Sequence, residues 1–216
     1  MIAYTFLVIT VLAVALYILG TGKPNKGTLL YLFWAAFIGL LSYKGFFLVT
    51  NGLPPRILLV LVPAIIFVIW SVRNVHLPRL KFQALVAIHI LRIPVEIILY
   101  RLFLNGKVPE SMTFAGWNFD IVMGISAVFI LILSRFKADF FQSRIFRLWN
   151  ITGIVFLSIV VLTAIISAPS PVQLLAFDQP NVAILEFPIT FLPAIVVPLV
   201  LLAHLYCLKG VRLSRH

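Results

Sequence analysis

Apolar residues run along this chain in long blocks, separated by short polar or turn-forming stretches. A helix needs about 20 mostly apolar residues to cross roughly 30 Å of hydrocarbon. Read at that length, the blocks predict seven helical spans, at about 2–20, 29–49, 56–72, 82–104, 118–134, 148–168 and 182–207. The expected architecture is therefore an all-α integral membrane protein, with residues 1–216 forming one transmembrane bundle. The connections TNGLPP and NGKVPES pair Asn-Gly with proline, residues that turn the chain and stop helices. Between the fifth and sixth spans, Phe136, Phe140, Phe141 and Ile145 recur at helical spacing among four basic residues. That pattern predicts an interfacial amphipathic segment over 135–147, with anionic lipid as its partner.

Composition excludes a water-soluble fold: 62% of residues are hydrophobic and 11% charged, against roughly a quarter charged in a soluble domain. The lone cysteine, Cys207, excludes an internal disulfide or a cysteine metal cluster. Residues 1–20 carry no basic start and no small-residue cleavage site, and so read as a retained first helix.

The net charge of +11 is read as topology before it is read as affinity for a polyanion, and no nucleic-acid partner is expected. One set of connections holds Lys23, Lys26, Arg73, Arg79, Lys81, Arg135, Lys137, Arg144, Arg147, Lys209, Arg212 and Arg215, while the other set holds only Arg56 and Lys107. Cytoplasmic loops retain Lys and Arg, which predicts a cytoplasmic C-terminus, an outer N-terminus and a location in the plasma (inner) membrane.

Ionisable residues inside a bilayer cost about 2.5–3.5 kcal/mol or more each, so they face protein or water and pair with one another. The predicted spans contain Lys44, His89, Arg92, Glu96, Arg101, Asp120, Glu186 and His204. In the fourth span His89, Arg92, Glu96 and Tyr100 fall on one stripe, with Arg92 and Glu96 spaced to neutralise each other. In the last span Glu186 and His204 are eighteen residues apart, five helical turns, and so are expected on one face. Pro94, Pro193 and Pro198 predict kinks in both helices and place the functional centre between spans four and seven.

Three chemistries fit that centre. The first is a b-type haem held by His89 and His204, with Arg92 beside a propionate. The second is an outward-facing proton-coupled transporter or receptor for a small molecule, in which Glu96 takes up the proton and Lys44, Tyr100, Arg101, Asp120 and Glu186 shape the pathway. The third is a metal-dependent membrane enzyme with His89 and His204 as metal ligands. A Schiff-base retinal pigment is not expected, because the last span has no lysine before Lys209. Assembly into homo-oligomers is compatible with all three chemistries.

Overall fold

The computed structural model describes residues 2–22, 24–74, 80–137 and 139–213. Of the basic residues counted above, Lys23, Arg79 and Arg215 lie outside the described residues, as does the side chain of Arg212. Among the described residues every regular element is helical: α1 Ile2–Thr21, α2 Lys26–Tyr43, α3 Leu58–Asn74, α4 Phe82–Ile90, α5 Arg92–Leu104, α6 Asp120–Phe136, α7 Arg144–Ser167 and α8 Val197–Leu213. Helices α4 and α5 form one rod, Phe82–Leu104, so the eight helices make seven rods. Five of the rods are long and apolar enough to cross a membrane.

Local chemistry moves several boundaries from their predicted places. Asn25 caps α2, its side chain accepting from the Thr28 N–H at 2.8 Å, and the helix therefore starts at Lys26. It ends at Tyr43, because Gly45 takes the left-handed conformation (φ 74°) that closes a helix, and Phe46–Leu48 continue only as a 3-10 turn.

The segment 135–147 is not a separate interfacial helix. Its first two residues belong to α6, and Ser143 caps α7 by accepting from the Phe146 N–H at 3.1 Å, which draws Arg144–Arg147 into that helix. Phe140 is buried and Phe141 half-buried, and both pack on Phe146 within the bundle rather than facing outward.

The last rod begins at Leu192, ten residues later than predicted. Pro188 supplies no N–H and biases Phe187 away from helix, and Glu186, extended (ψ 142°), stands outside the rod. The five-turn relation between Glu186 and His204 therefore does not exist. A wide π turn at Leu192–Val196 leads into α8. Pro198 deprives the Ala194 carbonyl of its helical partner, and the hydroxyl of Tyr31 donates to it instead.

The α4–α5 rod and the α8 rod form the interior, α4 packing against α1, α6 and α8. Leu85, Val86, Ile88, Leu199, Leu202 and Ala203 of these rods are buried. The outward faces remain apolar, with Val11, Phe33, Phe129 and Leu162 all more than 60% exposed. At one end of the bundle Lys81 donates its N–H to the Gly20 carbonyl at 2.8 Å, and the Lys209 ammonium donates to the Val72 carbonyl. The end of α1 is thereby tied to the start of α4, and the end of α3 to the end of α8. The opposite end is closed by the 105–119 and 168–191 connections, where Ala183 donates to the Lys107 carbonyl and Gln179 to those of Phe103 and Val108.

Candidate functional site

The centre of the bundle is polar, and it begins with a break in the fourth rod. Pro94 cannot donate to the Ile90 carbonyl, and Leu91 N–H bonds back to Ile88 at 3.1 Å, three residues away. The break separates His89 on α4 from Arg92 and Glu96 on α5, yet all three are buried.

His89 meets His204 of α8 face to face, with ring centroids 3.9 Å apart and planes inclined by 27°. Both rings are fully buried. Trp149 of α7 places its indole against the edges of both, at centroid distances of 5.1 and 5.3 Å. The indole is itself anchored by its N–H, which donates to Ser126 Oγ at 2.8 Å. Beside it, Asn150 Nδ2 donates to the Phe146 carbonyl at 2.8 Å, which leaves Oδ1 facing His204 Nδ1 at 2.9 Å. The imidazole proton of His204 is therefore on Nδ1, and Nε2 is its free acceptor. A Cβ on Gly153 would fall 2.3 Å from His204 Nε2, so glycine is what lets α7 close on that edge.

Arg92 continues the centre. Its Nε lies 3.3 Å from Asp120 Oδ2, an ion pair without hydrogen-bond alignment, and its Nη2 reaches the Gly153 carbonyl at 3.5 Å. Asp120 opens α6, where the positive end of the helix favours a carboxylate. Asn118 sets the approach: its Oδ1 accepts from the Asp120 N–H at 2.9 Å, while its Nδ2 donates to both oxygens of Glu96 at 2.8 Å. Both nitrogens of His89, Nε2 of His204, Nη1 of Arg92 and Oδ1 of Asp120 are buried without a hydrogen-bond partner among the described residues.

Of the residues singled out in the sequence, His89, Arg92, Glu96, Asp120 and His204 are gathered in this centre. Lys44, Tyr100, Arg101 and Glu186 are not. Lys44 ends α2 and is exposed, as is Arg101. Tyr100 stacks on Phe114 at 4.7 Å near the closed end, and Glu186 pairs with Lys107 at 2.6 Å, partly exposed. Arg92 also takes its ion pair from Asp120 rather than from Glu96, four residues along its own helix. Asn118, Trp149, Asn150 and Gly153 belong to the centre although the charge pattern did not single them out.

The arrangement of the stack differs from that of an axial pair on a haem. Iron ligation needs two ring nitrogens aimed at one metal across a flat macrocycle, whereas here the ring faces touch and Gly153 and Trp149 close the surrounding edges. Nor do the described residues gather three His, Cys, Asp or Glu side chains that could hold a metal ion.

Residues 54–212, about three quarters of the chain, match a family described as "Domain of unknown function (DUF8737)". The chain belongs to this DUF8737 family. The match runs from just before α3 into α8, so the whole polar centre is part of the DUF8737 region, and α1 and α2 precede it. No curated protein and no solved structure matches the chain.

Proposed function

We propose that this DUF8737 chain is a seven-span membrane protein, with an outer N-terminus and a cytoplasmic C-terminus, that binds and relays protons through its buried polar centre, as a proton-coupled transporter or sensor. Exposed apolar faces and five membrane-length rods support insertion. Helices α3 and α6, at 17 residues each, reach the lower end of the length range of about 17–25 residues. The end that joins α1, α3, α4 and α8 carries the basic excess, which supports a cytoplasmic orientation for it in a plasma (inner) membrane.

The observation that carries the functional reading is the isolation of Glu96. Arg92 and Asp120 form an ion pair, while Glu96 is in none among the described residues and accepts there only from the Asn118 amide, so the net charge of the centre depends on whether Glu96 holds a proton. Buried ionisable residues are too costly to persist for packing alone and mark ion and proton routes in membrane helices. On the other side of Arg92 the imidazole stack can accept one proton at a nitrogen that has no partner, since two cationic rings 3.9 Å apart repel. The π turn at Leu192–Val196 and Pro198 lie just before His204 on the same rod, a soft point through which charge in the centre can move α8.

Proton entry into proteoliposomes under an imposed pH gradient, read with an enclosed pH dye, tests this. Glu96→Gln should reduce the protein-dependent rate at least about 100-fold, the low end of what a positioned proton-transfer group supplies. An unchanged rate would remove Glu96 from the route.

A further inference from the structure

We propose that the cleft between the end of α1, the start of α4 and the end of α6 binds the phosphate group of an anionic membrane lipid. This inference rests on the membrane reading above. The cleft has a volume of about 420 Å³, and Lys81, Gln83, Ser134 and Arg135 form its polar side while Leu19 and Leu131 form its apolar side. Neither Lys81 nor Arg135 is in an ion pair among the described residues, and both are exposed. The one acidic residue of the α6–α7 connection, Asp139, does not line the cleft.

Two cations and an amide around one cleft supply the donors that a phosphate needs. The Lys81 N–H to Gly20 carbonyl bond holds α1 and α4 together at this point, so the cleft is part of the framework rather than of a loop. Its apolar side continues along exposed faces of α1 and α6, where Leu12 and Val128 would meet acyl chains. A second cleft of about 440 Å³, on α1 and α2, is lined by no charged residue, and the distinction is one of charge rather than of size. Arg135 also belongs to the segment expected from the sequence to meet anionic lipid, and the cleft sets it beside Lys81, which lies outside that segment.

Native mass spectrometry of protein released from membranes containing phosphatidylglycerol tests the site. Lys81→Gln/Arg135→Gln should lower the retained phosphatidylglycerol about 30-fold. The equally neutralising Arg144→Gln/Arg147→Gln should leave it unchanged. Equal loss in both variants, or no loss in the first, would overturn the site. Release of the lipid by millimolar inorganic phosphate would assign the cleft to free phosphate and overturn the lipid assignment. Carbonate washing keeps the two readings apart: a chain that stays with the membrane pellet sustains membrane insertion whatever lipid it retains, and a chain that washes off defeats both.

Discussion

His204 Nδ1 lies 2.9 Å from Asn150 Oδ1, and the Asn150 amide nitrogen in turn donates to the Phe146 carbonyl, so a single side chain on α7 fixes both the tautomer and the orientation of an imidazole on α8. The bond joins two rods across the buried centre. Its removal leaves a buried donor without a partner, which costs more than the bond itself contributes.

Asn150→Ala should therefore lower stability by about 1–3 kcal/mol. Thermal denaturation in detergent, followed by circular dichroism at fixed pH, measures this. A variant as stable as the parent would mean that the contact does not hold α7 to α8.

The Arg92–Asp120 pair yields a prediction with a sign change. Both side chains are under 10% exposed, and removing one partner strands a buried charge at a cost of about 3–5 kcal/mol. Arg92→Met and Asp120→Leu should each destabilise by that order, and the double variant should recover most of the loss because no lone charge remains. Losses that simply add would show that the two residues do not act as a pair.

Much of this arrangement was legible in the sequence, for reasons that differ by residue. The rod Phe82–Leu104 stood out because a continuous apolar run is bounded by charges, and its observed limits agree with the predicted 82–104. His89, Arg92, Glu96, Asp120 and His204 stood out because ionisable groups are costly in apolar surroundings. Asn118, Asn150 and Gly153 carry no charge, and an amide or glycine among apolar residues reads as ordinary helix until its partner is known. The signal was present in Asn150 and Gly153, a polar and a small position beside Trp149 within one predicted span.

The start of the last rod was misread because hydropathy counts side chains and not backbone donors. Residues 182–191 are as apolar as a helix, but Pro188 removes a donor from within them. Helical spacing, applied across that proline, likewise placed Glu186 on the face of His204. Its partner is in fact Lys107, which the folded connection brings to 2.6 Å.

Trp149 offers a built-in reporter, since its indole touches both rings of the stack. A protonated imidazole quenches an adjacent indole, so emission should be high at alkaline pH and fall as pH is lowered and the stack takes its proton. The four tryptophans contribute together, and Trp149→Phe isolates this one. The pH-dependent part of the emission should vanish in Trp149→Phe and shrink in His204→Asn. A pH response that survives Trp149→Phe unchanged would place its origin outside the stack.

The central claim is that Glu96 gains and loses a proton inside the folded bundle. Infrared difference spectroscopy in lipid, taken between alkaline and acidic pH, reads this directly through the carbonyl stretch of a protonated carboxyl group. The account predicts a band that grows on acidification, shifts when Asn118→Ala removes the amide that bonds Glu96, and disappears in Glu96→Gln while the helical amide bands stay constant. A difference spectrum identical in the parent and in Glu96→Gln would contradict it.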